Sequence, residues 1–240
     1  MVNSEKNQER NTLLKAFFYP LVFIIVIWLI KIIELIFDLS FANAGILPRN
    51  LIHLPAILTM PLIHSDFAHL ISNSGPILIL GGFIFYFYQE IAWKVVMWIY
   101  VLSGLWLWIG GREAIHIGAS GLVYGFAAFL FFSGIFRKST TLMTVSLVII
   151  FLYGSLIWGF FPEFFPKENI SWEGHLFGFI AGILMAVFYR NQGPKPQVYI
   201  WDEEDEKEDN ENAYWKTELP ADKSILDENA HPTYIRRNKI

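Results

Sequence analysis

Residues Phe17 to Phe37 read FFYPLVFIIVIWLIKIIELIF, and this stretch decides the fold class. A bilayer core about 30 Å thick needs roughly 20 apolar residues per crossing helix. The stretch meets that length, and its two charges, Lys31 and Glu34, stand toward its far end. They are three residues apart on one helical face, where they can pair or snorkel. The segment is too long for a signal peptide and no small-residue cleavage site follows it, so it reads as a retained helix. Five further stretches approach the same length: Phe67–Tyr88, Trp93–Ile109, Ala119–Phe136, Leu142–Phe161 and roughly Glu173–Tyr189. In lipid only helices and closed barrels satisfy the backbone, and no alternating ten-residue pattern points to a barrel. The expected fold is an all-α polytopic membrane protein, a bundle of six transmembrane helices.

Composition agrees. Of 240 residues, 54% are hydrophobic, 17% aromatic and 17% charged, and the formal charge is −4. That balance excludes a broadly basic nucleic-acid binder. With no Cys in the chain, disulfides, thiolate nucleophiles, Fe–S clusters and Cys-ligated zinc are excluded too. The charge is concentrated at one end: residues 191–240 hold 12 acidic and 7 basic side chains. The run 202–211, DEEDEKEDNE, repels itself and buries nothing, so it reads as disordered and solvated. The chain thus divides into an N-terminal segment (1–16), a helical domain (17–190) and an acidic tail (191–240). Six spans put both termini on one side. That side receives Lys6, Arg10, Lys15, Lys94, Arg137, Lys138, Arg190 and Lys195; the other receives Arg49, Arg112 and Lys167. The excess of positive charge places both termini in the cytoplasm.

Polar groups inside such a bundle are costly and mark candidate sites. His69 and Asn73 lie four apart near the start of the second span, on one helical face. Both offer side-chain donors; taken alone, the pair reads more readily as interhelical glue. His64 is off that face and reads as the end of a loop. Gly75-Pro76 sits in the same span, where Pro76 removes a helical hydrogen bond and should kink the helix. Ser120 stands in Gly118-Ala119-Ser120-Gly121, where a loop meets the fourth span. A helix N-terminus offers unpaired backbone N–H groups and positive potential, although a lone motif of this kind is more often an ordinary cap. His175 opens the sixth span. Gly174, Gly178 and Gly182 recur every four residues there, as Gly121 and Gly125 do on the fourth. Such small-residue faces let helices approach closely. If the two faces meet, Ser120 and His175 come together as a nucleophile–base pair. His116, four residues before Ser120, is the rival base. Tyr124, one turn after Ser120, is placed to pack against the base or to serve as a plain structural aromatic.

Three segments together resemble the rhomboid family of intramembrane serine proteases. They are His64-Ser-Asp-Phe-Ala-His69-Leu-Ile-Ser-Asn73, then Gly118-Ala-Ser120-Gly121-Leu-Val-Tyr124-Gly125, then Gly174-His175-Leu-Phe-Gly178-Phe-Ile-Ala-Gly182. Their order on the second, fourth and sixth spans fits, and the likeness covers about residues 40–190. The chain departs from some relatives in the first outer loop, which has Pro48-Arg49 without a preceding Trp, and at Met60, where some relatives carry another His.

The resemblance implies a cavity opening to the outer face, Ser120 as nucleophile and His175 as general base. It implies an oxyanion hole formed by His69, Asn73 and the Ser120 backbone N–H, with no Asp as third member and no cofactor or metal. Gly118, Gly121 and Tyr124 are the supporting positions. The partners implied are transmembrane protein substrates, cleaved near the outer face of a membrane, most simply a bacterial inner membrane. The fifth helix and the 162–172 loop, with Phe160, Phe161, Phe164 and Phe165 as an apolar lid, are the expected gate. Two rivals stand beside this reading. An inactive rhomboid-like client binder would have no use for the four polar residues. A small transporter would be expected to show an internal repeat, and none is found. A zinc protease is disfavoured by the lack of H-E-x-x-H.

Overall fold

The computed structural model describes residues 2–153 and 171–193, and these form a helical bundle. Its helices are α1 (Val2–Ile36), the single turn α2 (Ala56–Thr59), α3 (Phe67–Phe87), α4 (Ala92–Gly110), α5 (Ser120–Arg137), α6 (Thr140–Tyr153) and α7 (Trp172–Phe188). Four of them, α1, α3, α4 and α5, are long and apolar enough to cross a membrane, and α7 is a shorter apolar helix. Helix α1 runs unbroken from Val2 through Pro20, so residues 2–16 are helical and continuous with the first apolar stretch. The expected fifth span is described from Thr140 to Tyr153. Its remainder, the expected lid phenylalanines and the acidic run 202–211 lie outside the described residues.

Helix α1 lies along α3, and small residues set the approach. A Cβ on Gly81 would meet the Pro20 ring at 2.9 Å, and one on Gly82 would meet the Phe17 ring. The other face of α1 stays bare: Phe18, Ile25, Leu29 and Ile36 are exposed. In water this apolar stripe would be a liability; against acyl chains it is satisfied. The Lys31–Glu34 pair forms as the spacing suggests, at 3.1 Å. Lys31 Nζ also donates to the carbonyls of His64 (3.1 Å) and Ser65 (2.9 Å). Glu34 accepts from the backbone N–H of Phe41 at 2.7 Å. The charges near the end of α1 therefore fasten the connection that leads into α3.

The main core lies among α3, α4, α5 and α7, built on Leu80, Ile84, Val95, Ile99, Phe129 and Ala186, all fully buried. A smaller cluster of Ile46, Ala56, Met60 and Leu107 seats the first long loop on α4. Polar bonds hold that loop down. Trp108 Nε1 donates to the Asn50 carbonyl at 2.9 Å, Arg49 to the Gly111 carbonyl at 2.7 Å, and Tyr100 Oη to the Leu58 carbonyl at 2.5 Å. At the opposite end of the bundle, buried Arg137 closes the C-terminus of α7. Its guanidinium donates to Ser133 Oγ (2.9 Å), to the Tyr189 carbonyl (2.6 Å) and to the Gln192 carbonyl. A cation there satisfies carbonyls that a helix end leaves without partners.

Candidate active site

The glycine faces of α5 and α7 meet. A Cβ on Gly178 would run into the backbone of Gly121, and one on Gly182 into the carbonyl of Gly125. Contact at that distance is open only to glycine, so the two backbones touch. The consequence sits at one end of the seam. Ser120, the first residue of α5, and His175, in the first turn of α7, lie side by side, with Ser120 Oγ 2.9 Å from His175 Nε2.

The local backbone explains how Ser120 is presented. Gly118 has φ +107°, a conformation that favours glycine. Its N–H donates to the Met60 carbonyl at 2.9 Å. The chain then turns through Ala119 into α5, so Ser120 has the position of a first-turn residue whose backbone N–H lacks an intrahelical acceptor. His175 is buried at 8% exposure. Tyr124 stacks on its ring, with centroids 4.2 Å apart and planes 8° from parallel. Face-to-face contact of this kind fixes the plane of the imidazole.

His69 reaches the same place from α3. A Cβ on Gly118 would stand 2.7 Å from His69 Nε2, so the imidazole lies directly over the turn that leads into Ser120. Asp66 caps α3, accepting from the His69 backbone N–H at 2.8 Å. That bond, with a second from the Ser65 hydroxyl, holds the Asp66 carboxyl below its ordinary range. Asn73 is buried, and its amide donates to the His69 carbonyl at 3.1 Å. The structure thus gathers Ser120, His175, Tyr124, Gly118 and His69, and Asn73 joins them through His69. Pro76 lies within α3, which continues past it to Phe87. Among the described residues, no group of three or more His, Asp or Glu is placed to hold a metal ion.

The rival base is engaged elsewhere. His116 Nδ1 is 2.7 Å from Ser171 Oγ, and Nε2 is 3.2 Å from the Arg112 carbonyl. A carbonyl only accepts, so Nε2 carries the proton and Nδ1 accepts from the Ser171 hydroxyl. Burial lowers the His116 pKa, which favours this neutral form.

His64 departs from its sequence reading. It does stand in the loop before α3, but its ring turns back edge-on to His69, with centroids 5.0 Å apart. Helical-face arithmetic does not apply to a residue that precedes the helix. His64 is 2% exposed. Among the described residues neither of its ring nitrogens has a hydrogen-bond partner. Burial, and then the neighbouring His69, push its pKa from 6.5 down to about 4. Unfolded His64 therefore takes up its proton near pH 6.5 and folded His64 only near pH 4. Stability should fall as pH drops through that window, by up to about 3 kcal/mol for this group. Thermal unfolding in detergent at stepped pH checks this: His64→Phe should flatten that share of the slope, and an unchanged slope would refute it.

Comparison with known proteins agrees with this architecture. The profile of the Rhomboid domain family matches residues 53–192. Uncharacterized proteins of Mycobacterium bovis and Mycobacterium tuberculosis are 31% identical over 173 residues, covering 69% of this chain and 72% of theirs. One from Mycobacterium leprae is 32% identical over 174 residues, covering 69% and 68%. The matched span holds all three motif segments and the paired ends of α5 and α7, and the chain belongs to the rhomboid family of integral membrane proteins.

Proposed function

We propose that the chain is an active intramembrane serine endopeptidase. It cleaves transmembrane segments of other membrane proteins close to the outer face of the membrane. The observation that carries this reading is the 2.9 Å approach of Ser120 Oγ to His175 Nε2. That is within the reach a base needs to take a hydroxyl proton.

In the first step Ser120 Oγ attacks the scissile carbonyl carbon while its proton passes to His175 Nε2. The carbonyl oxygen becomes an oxyanion, met by His69, Asn73 and the Ser120 backbone N–H. Each well-aimed donor of this kind can lower the barrier by about 2.7–4 kcal/mol. His175 then gives its proton to the leaving amine, the C–N bond breaks, and an acyl-enzyme remains. Water, deprotonated by the same imidazole, releases the acid and restores Ser120. The stacked Tyr124 does the orienting, so the pair works as a dyad. Substrate helices hide their carbonyls in their own hydrogen bonds, so segments with Gly, Pro or other weak helix formers should be preferred.

Six spans with both termini in the cytoplasm of a bacterial cell put the Ser120 end of α5 at the outer face, in keeping with the charge distribution. Lipid and substrate helices then reach the site from the same bilayer.

A fluorophosphonate probe tests the central claim without knowledge of the substrate. In detergent the purified protein should be labelled by loss of fluoride, and Ser120→Ala should not be. If the wild type stays unlabelled while an active rhomboid protease reacts in the same detergent, the reading gives way to that of an inactive client binder.

A further inference from the structure

Two pairs of side chains outside the reacting groups join the same two segments. His116 stands four residues before Ser120, and Ser171 four residues before His175. Their 2.7 Å bond spans 55 residues, the same separation as the Ser120–His175 bond beside it. A second pair lies next to this one. Arg112 Nη1 is 3.4 Å from Glu173 Oε2, and the Arg112 backbone N–H donates to Glu173 Oε1, also at 3.4 Å. Glu173 is 4% exposed and His116 2% exposed. Resting on the reading of Ser120 and His175 as a catalytic pair, we propose that Ser171 and Glu173 are positioning residues. Through His116 and Arg112 they hold the loop that ends in Ser120 against the start of α7, and so set the distance over which the proton is transferred.

The 112–118 loop has no helix of its own and arrives at Ser120 through the left-handed turn at Gly118. Ile46 pairs with His116 through two backbone bonds of 2.8 and 2.9 Å. That pairing secures one side of the loop to the first long loop, but it does not relate the loop to α7. The two side-chain pairs do. Ser171 acts on His175 directly as well, because its carbonyl accepts the His175 backbone N–H at 3.2 Å. Its hydroxyl fills the space beside Gly174, where a Cβ would stand 2.9 Å away. Glu173 is tied by an ion pair and also by a bond to a backbone N–H. A carboxylate buried at this depth needs both partners to offset its desolvation. None of the four side chains has to touch substrate for this role. Each acts on the geometry of a proton transfer that tolerates little displacement.

The test uses the full chain in detergent, with the fluorophosphonate labelling rate and the kcat and KM for a transmembrane reporter. Ser171→Ala and Glu173→Gln should each lower kcat and the labelling rate by about tenfold, with KM within about twofold of wild type. Arg112→Lys, which keeps the charge, should retain most of the rate, whereas Arg112→Ala should match Glu173→Gln. The Arg112→Ala, Glu173→Gln double variant should be no slower than the slower single one, because both changes remove one interaction. Thermal midpoints identify any variant that fails to fold. Should Glu173→Gln be such a variant, Ser171→Ala decides, since it removes one hydroxyl. The proposal is overturned if wild type is active while the folded variants keep its kcat and labelling rate. It is overturned equally if their KM rises with kcat unchanged, which would make these substrate contacts. A wild type that neither labels nor cleaves would instead remove the protease reading itself, a result plainly different from either.

Discussion

His175→Ala should lower cleavage of a transmembrane reporter by about 10⁴-fold or more, and it should abolish fluorophosphonate labelling of Ser120. The imidazole is the partner of Ser120 Oγ at 2.9 Å, and without it the hydroxyl has nowhere to send its proton at neutral pH. Oxyanion donors and bound substrate would remain, so slow residual turnover is expected rather than none. The informative comparison is His116→Ala. Both histidines are buried, and His116 is only four residues from Ser120 in the chain, but the two ring nitrogens of His116 are given to Ser171 and the Arg112 carbonyl. Its replacement should cost only about tenfold, through displacement of the loop. If the order were reversed, with His116→Ala unreactive and His175→Ala still labelled, the assignment of the base would be wrong.

Gly178→Ala should lower activity strongly, although less than loss of His175 and although the residue makes no chemical contribution. The new methyl would collide with the backbone of Gly121, whose Cα would be 3.0 Å and carbonyl carbon 2.8 Å from it. Backbone cannot turn aside as a flexible side chain does, so α5 and α7 must move apart. Ser120 and His175 sit at the end of this seam, and a separation of roughly 1 Å there should lower turnover by about 10²-fold. Overpacking of this kind also destabilises by about 1–3 kcal/mol. Gly75→Ala is the matched control. It lies on α3 two residues from Asn73, and a Cβ there meets nothing within 4 Å. It should leave turnover near that of wild type and change stability little, because the entropy saved inside the helix is offset by the crowding a side chain meets just before Pro76. Thermal unfolding and reporter turnover on both variants check the pair. Equal behaviour of the two would show that the glycine seam does not set the site.

How much of this was legible in the chain depends on the kind of pattern. Apolar runs of about 20 residues are a one-dimensional signal, and the ends of α3, α4 and α5 fall within a residue or two of where hydropathy puts them. The start of α1 was not legible, because Asn3 to Arg10 are polar and hydropathy cannot tell a solvated helix from a solvated coil. The meeting of Ser120 and His175 was legible for a particular reason. The Gly121/Gly125 and Gly174/Gly178/Gly182 spacings each name a helix face, and the only free choice was whether those faces pack together.

Other features carried no such pattern. Nothing in the spacing of His116 and Ser171 distinguishes a base from a tether; only the positions of both ring nitrogens do. Glu173, two residues before His175, and Arg112, in the loop that leads to Ser120, were visible as charges, yet their pairing required the loop's path. His64 turning onto His69 needed the backbone of residues 63–66, which Lys31 holds from α1. From the sequence alone came the helical membrane fold, the family, and the residues proposed to do the chemistry, since hydrophobic length, glycine periodicity and donor type are properties of single residues and their spacing. Which histidine faces the serine, and what holds it there, was decided by tertiary structure, because hydrogen-bond partnership depends on a few tenths of an ångström between segments 55 residues apart.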